Sequence, residues 1–156
     1  MSTLAHPVDQ IMHVMKAAFD PAYGEAWNRK QVSDALVLPS THQLVINASG
    51  QVIAANSVEE AAGFVLTRHA ADEEELLLIA VLPDHRGKGL GATMVNHLFK
   101  EARRRGTTRI FLEMRRGNPA VHLYLKLGFE PIGERPKYYR LETGERVDAI
   151  TFGCLI

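Results

Sequence analysis

The segment Arg86-Gly87-Lys88-Gly89-Leu90-Gly91-Ala92 sets three glycines and two cations directly ahead of a strongly periodic helical stretch. Glycine lets backbone N–H groups come close to a ligand. The free N–H groups of a helix's first turn, at the positive end of its dipole, favour phosphate. The chemistry on offer is a cradle for a phosphorylated ligand. Further along, Glu113 stands in an alternating run from Arg109 to Arg115. A carboxylate there is costly unless it is paired or solvated at a cleft. It reads either as a general base or as the cross-strand partner of an arginine. The seven histidines show no ligand spacing, and no metal is expected.

These groups need a frame. Val8, Ile11, Met12, Met15, Ala18 and Phe19 recur at helical spacing and predict a first amphipathic helix that Pro21 stops. Asn28, with Gln31 three residues on, is a capping box for a second helix reaching about Val37, and Trp27 with Val32 forms a hydrophobic staple. Strands are expected over 43–48, 51–55 and 63–67, with 51–60 alternatively a loop. The nearly continuous apolar run at 75–81 predicts a strand buried on both faces in a parallel sheet. Glu73-Glu74-Glu75 reads most simply as a solvated turn before that strand, and alternatively as an attractor for a basic peptide.

A helix over 90–105 should bury Leu90, Met94, Leu98 and Ala102 and end at Gly106 in the left-handed region. Its Arg103-Arg104-Arg105 run reads as a solvated last turn that complements the dipole. A strand at 109–115 follows. Asn118-Pro119 then reads as an N-cap with proline at the first helical position, and Gly128 closes that short helix. Residues 129–140 and 146–155 form a hairpin across Glu142-Thr143-Gly144-Glu145.

Two ligands compete for the glycines. Gly87-x-Gly89-x-x-Ala92 fits a dinucleotide fingerprint, with Glu113 roughly where a ribose-binding acid belongs. Against it, residues 82–86 separate the strand from the first glycine, and the rest of the chain lacks the βα units a doubly wound fold needs. The other reading is the pyrophosphate loop of an acyl-coenzyme A binder, Arg/Gln-x-x-Gly-x-Gly/Ala, which Arg86 to Gly91 matches. With Ile79-Ala80-Val81-x-Pro83, Phe111-Leu112-Glu113-Met114-Arg115, Asn118 and Leu123-Tyr124-x-x-x-Gly128-Phe129, the chain from about Glu74 onward resembles the GNAT superfamily of N-acetyltransferases. Arg135-Pro136-Lys137-Tyr138-Tyr139 followed by Asp148-Ala149-Ile150 resembles the subgroup that acetylates protein N-termini, the RimI-type ribosomal-protein-alanine N-acetyltransferases. Asn118 and Tyr124 lie one residue closer together than in that subgroup, which implies a tighter turn into the short helix.

The resemblance implies an α/β GNAT fold, a mostly antiparallel central sheet with one parallel, splayed strand pair and about four helices, in a single domain over 1–156. It implies acetyl-CoA as co-substrate, held by the backbone of Ile79, Ala80 and Val81, by Arg86, Gly87, Lys88, Gly89, Leu90, Gly91 and Ala92, and by Asn118. The Val81 N–H becomes an oxyanion donor, Glu113 the base and Tyr124 the general acid. Tyr138 and Tyr139 become a peptide clamp, with Trp27 and Phe19 as an opposite wall. Each has a plainer use: Tyr124 as a core tyrosine, Asn118 as a cap alone, the hairpin tyrosines as packed aromatics, Trp27 and Phe19 as staple and core.

Composition narrows the partners. The chain has 156 residues, 46% of them hydrophobic, with 18 basic and 18 acidic side chains. Balanced charge argues against nucleic acid held by bulk electrostatics. The single Cys154 excludes an internal disulfide and agrees with a cytoplasmic location, and no apolar run is long enough to span a membrane. A monomer or weak homodimer is expected. The leading expectation is acetylation of a protein N-terminus, a ribosomal alanine first. A small-molecule or lysine acetyltransferase is the first alternative, and a non-catalytic acetyl-CoA sensor the second.

Overall fold

The computed structural model describes residues 6–20, 25–54 and 56–156. Helix α1 (Pro7–Ala18) opens with a capping box that the sequence reading did not foresee. The His6 ring accepts from the Val8 N–H, Asp9 reaches back to the His6 N–H, and Pro7 fills the first helical position. The stop expected at Pro21 lies outside the described residues. Helix α2 (Arg29–Leu36) is capped as expected, with reciprocal 2.8 Å bonds between Asn28 and Gln31. Val32 is fully buried, and half-buried Trp27 packs on the same cluster.

Among the described residues seven strands follow: β1 (Thr41–Ile46), β2 (Val52–Ile53), β3 (Gly63–Ala70), β4 (Glu73–Val81), β5 (Arg109–Arg115), β6 (Glu130–Arg140) and β7 (Arg146–Leu155). They form one sheet in the order β2-β1-β3-β4-β5-β7-β6. Segment 51–60 is therefore part strand and part loop, with Ala55 outside the described residues. Every pairing is antiparallel except β4 with β5.

The expectation that β4 is buried in a parallel sheet is corrected. It pairs with β3 antiparallel along its length and with β5 only where Glu73–Glu75 meet Arg109–Phe111. Its unbroken apolar run has another cause. Leu66 opposes Leu78 while Thr67 opposes Leu76, so Leu77 is an extra, bulged residue. The bulge exchanges the two faces of the strand. Leu76 joins the core under helix α3 (Leu90–Arg104), whereas Leu78 and Ala80 join the core under α1 and α2. Beyond Glu75, β4 and β5 diverge with no ladder between them.

Two surface readings hold only in part, because tertiary packing recruits one charge from each. Glu74 is fully buried, accepting from Arg105 at 2.7 and 3.2 Å and from the Thr67 and Thr107 hydroxyls at 2.7 and 3.1 Å. Burial by itself would raise its carboxyl, but these donors outweigh it and hold the group below its ordinary value. Glu73 and Glu75 pair with Arg109 and Arg68. Glu74 is thus not part of a solvated turn and Arg105 is not part of a solvated helix end, whereas Arg103 and Arg104 stay exposed as expected.

The short helix α4 (Val121–Lys126) also starts later than the Asn118-Pro119 pattern suggested. Asn118 accepts from the Ala120 N–H at 2.9 Å, and the N–H groups of Val121, His122 and Leu123 each bond the carbonyl three residues back. Those bonds make a tight, 3₁₀-like entry, as the shortened spacing implied, with Asn118 ahead of the helix as an Asx turn. Among the described residues no helix is long and apolar enough to cross a membrane.

Candidate active site

The divergence of β4 from β5 opens a cleft of about 900 Å³. Ladder parity decides which backbone groups face it. In an antiparallel pair, only alternate residues exchange hydrogen bonds with a given neighbour. The Leu82 N–H bonds the Ala62 carbonyl, which assigns Leu82 and, two residues back, Ala80 to β3. Ile79 and Val81 then turn their N–H and C=O groups the other way, toward the side where β5 has departed. Of the three backbone positions singled out in the sequence, two face the cleft and Ala80 faces Phe64.

At the mouth of β4, a 3₁₀ turn (Pro83–His85) leads into the glycine loop. Gly87 and Gly89 both have φ of +78°, where side chains are strained. A Cβ at either position would meet nothing within 4 Å, so the space in front of them is open. Gly89 is the N-cap of α3 and supplies no side-chain cap, leaving the first-turn N–H groups at Leu90, Gly91 and Ala92 without one. Gly91 differs, because a Cβ there would press on Leu123 at 3.1 Å. Gly87 and Gly89 to Ala92 line the cleft. Lys88 is exposed beside it, 3.4 Å from His85. The Arg86 side chain reaches the Val81 carbonyl at 3.3 Å and the Ala18 carbonyl at 2.6 Å.

The opposite wall carries the candidate chemistry. Glu113 lines the cleft from β5, with its carboxylate 3.2 Å from Arg135 Nε and 3.4 Å from the Thr151 hydroxyl. The alternatives open in the sequence coexist: the group is arginine-paired and also faces the cleft. Tyr124 is only 3% exposed, edge-on to Phe129 at 5.4 Å between centroids, and lines the same cavity with Asn118. Burial pushes its phenol well above the ordinary tyrosine range, so the proton stays on oxygen.

Neither Tyr138 nor Tyr139 lines the cleft itself, though Tyr139 feels the charges of Glu113 and Glu25 at one end of it. Tyr138 and Tyr139 meet edge-to-face at 5.3 Å, and Arg135 lies over the Tyr138 ring at 4.9 Å. Burial, then the charges of Glu113 and Glu25, push the Tyr139 hydroxyl up to about 12. Phe19 lines the cleft, whereas Trp27 packs with the helical core behind it. Sequence reasoning missed Glu25 and Arg115, which pair at 3.5 Å beside this end and both line the cleft. Arg115 had one available signal, since it sits two residues beyond Glu113 on the same strand face. Glu25 had none.

The chain matches the profile of the Acetyltransferase (GNAT) family over residues 10–129. It is 33% identical over 94 residues to a [ribosomal protein bS18]-alanine N-acetyltransferase of Haemophilus influenzae, covering 60% of this chain and 64% of the relative. It is also 33% identical over 101 residues to the streptothricin acetyltransferase of Streptomyces lavendulae, covering 63% and 53% respectively. The chain therefore spans less than two thirds of the curated relatives it matches here. The crystal structure of the ribosomal-protein-S18-alanine N-acetyltransferase from Escherichia coli superposes with a TM-score of 0.80 at 28% identity, over 99% of this chain and 92% of that one. Among the described residues, the mixed sheet with one parallel pair and the four helices are those of this fold. With its bulged and splayed β4 and the glycine turn at the foot of α3, this chain belongs to the GNAT family of acetyltransferases.

Proposed function

We propose that the protein transfers an acetyl group from acetyl-CoA to the free N-terminal α-amine of a protein, with the N-terminal alanine of a ribosomal protein as the first candidate. The observation that carries this reading is convergence. A strand with open N–H groups, a glycine turn, a carboxylate and a buried phenol share one cleft. The relatives named as ribosomal-protein-alanine acetyltransferases support the choice of acceptor.

Acetyl-CoA supplies an activated acetyl thioester. The backbone of Ile79 and Val81 extends the β4 edge to the pantetheine arm, with Asn118 on the far side, and the backbone of the loop from Gly87 to Ala92 receives the pyrophosphate, the Arg86 side chain being held by the Val81 and Ala18 carbonyls. The Val81 N–H donates to the thioester oxygen as negative charge grows there. Glu113 accepts the proton of the attacking amine, directly or through a water, and Tyr124 keeps a proton for the departing sulfur. An α-amine has an ordinary pKa of about 7.7–8.0, so roughly a tenth or more is already neutral near pH 7. A lysine, at about 10.4, is neutral in well under a thousandth of molecules. The α-amine therefore needs far less help with its proton than a lysine would. Tyr138 and Tyr139 flank the peptide, and Trp27 supports the opposite wall from behind. The reading places the protein in the cytoplasm as a monomer or weak homodimer, with no metal.

A second reading, a small-molecule acceptor, is favoured by the streptothricin acetyltransferase relative. Turnover on peptides differing only in their first residues, beside a blocked lysine peptide and a polyamine, separates the two. The free alanine peptide should react fastest. Faster reaction of the polyamine or the blocked lysine peptide overturns the N-terminal assignment.

A further inference from the structure

Arg86 opens the glycine loop, where a cation is expected to serve phosphate, yet its guanidinium is turned elsewhere. It donates to the carbonyl of Ala18, the last residue of α1, at 2.6 Å, and to the Val81 carbonyl at 3.3 Å. The Ala18 carbonyl is one of the four that a helix leaves without an internal partner, and it stands at the negative end of the helix dipole. A guanidinium is well suited to both roles there. Val81 offers its carbonyl on the cleft side of β4, where no strand competes for it.

The bond falls at a decisive place in the chain. Phe19, directly after Ala18, has an extended backbone (φ −97°, ψ 136°), so the chain leaves the helix there and enters the cleft wall. Ala18, Phe19 and Asp20 line the cleft on the side from which Glu25 reaches Arg115. One side chain thereby ties the cofactor loop, the end of β4 and the start of the acceptor wall.

We propose that Arg86 is a positioning residue for the acceptor, coupling the pyrophosphate loop to the wall that begins at Ala18. This rests on the acetyl-transfer reading above. A residue of this kind acts on acceptor affinity, whereas a phosphate ligand acts on coenzyme affinity and shows the stronger dependence on salt.

The test uses Arg86→Ala and Arg86→Lys, with coenzyme A affinity measured by calorimetry and both KM values measured on the alanine peptide. Arg86→Ala should raise the acceptor KM about tenfold, the scale of one charge-assisted hydrogen bond, and change the coenzyme Kd by less than about twofold. Arg86→Lys should recover part of the loss, since it keeps the charge and lacks the fork. A coenzyme Kd that rises as much as the acceptor KM overturns the proposal, and so does an unchanged acceptor KM. Amide exchange supplies a readout independent of turnover. In Arg86→Ala the last turn of α1 should exchange faster while the last turn of α3 does not, and equal exchange in both overturns the proposal. If wild type acetylates no amine while the exchange difference is present, the catalytic reading fails and the tether stands.

Discussion

Glu113 holds one carboxylate in two relationships, and its surroundings decide what a substitution there reports. Thr151 contacts it from the neighbouring β7 and Arg135 from β6 beyond, while the cleft opens in front. Glu113→Gln keeps the shape and the hydrogen bond from Thr151 but loses the basic oxygen. Turnover at pH 7 is expected to fall about a hundredfold, with acetyl-CoA affinity little changed. The sign with pH follows from the amine. Above about pH 8 the acceptor is already deprotonated, so the deficit should narrow as pH rises. A deficit that stays constant from about pH 6 to 9 would assign Glu113 to positioning. Tyr124 behaves differently, because its buried phenol keeps its proton throughout that range and adds no alkaline limb of its own.

Two elements carry contrasting tests. The glycine turn into α3 should be sensitive in function and tolerant in folding. A side chain at Gly89 meets no protein atom within 4 Å, so Gly89→Val costs only the left-handed backbone strain, roughly 1–2 kcal/mol. The same side chain occupies the space through which N–H groups would approach a pyrophosphate. Calorimetry should find coenzyme binding lost in a variant that still unfolds cooperatively. The parallel start of β4 is the reverse case. Glu74→Ala removes a fully buried carboxylate and leaves Arg105 and two threonine hydroxyls without their acceptor, at an expected cost of about 3–5 kcal/mol in urea unfolding. Because its folded value is depressed, Glu74 stabilises the fold above about pH 4.5, and that contribution is lost as pH falls through the folded value. Glu74→Gln should therefore flatten the acid limb of the stability profile.

At the scale of the whole molecule, the ligand should act as part of the fold. The cleft separates two halves of a sheet whose ladder is interrupted along β4 and β5, so a ligand bridging them stabilises only the native state. At about 100 times its Kd, acetyl-CoA should add roughly 2.7 kcal/mol, which for a domain of this size raises Tm by about 5–10 °C. NAD should leave Tm unchanged. A shift with NAD and none with acetyl-CoA would restore the dinucleotide reading.

Local patterns determined much of this protein from the sequence alone. Asn28 with Gln31 fixed a helix start, Gly106 and Gly128 fixed two helix ends, and alternation from Arg109 to Arg115 fixed β5 to the residue. Each depends on neighbours within a turn or a pleat, so each can be read from spacing. The glycine loop was legible for the same reason, as were Glu113 and Tyr124 as members of one cleft, through the family resemblance. What tertiary structure alone decided involves partners distant in the chain. The bulge at Leu77 turned an apolar run that looked like a parallel core strand into one that exchanges faces. Arg105 claimed Glu74, which a composition reading leaves in water. Glu25 found Arg115 and Arg86 found Ala18 across long loops, and no local pattern records which cation will meet which oxygen. Spacing specifies where a backbone turns and which face a side chain takes. Charge pairing is settled only once the sheet has brought remote segments within a few ångströms, where burial makes an unpaired charge too costly to leave.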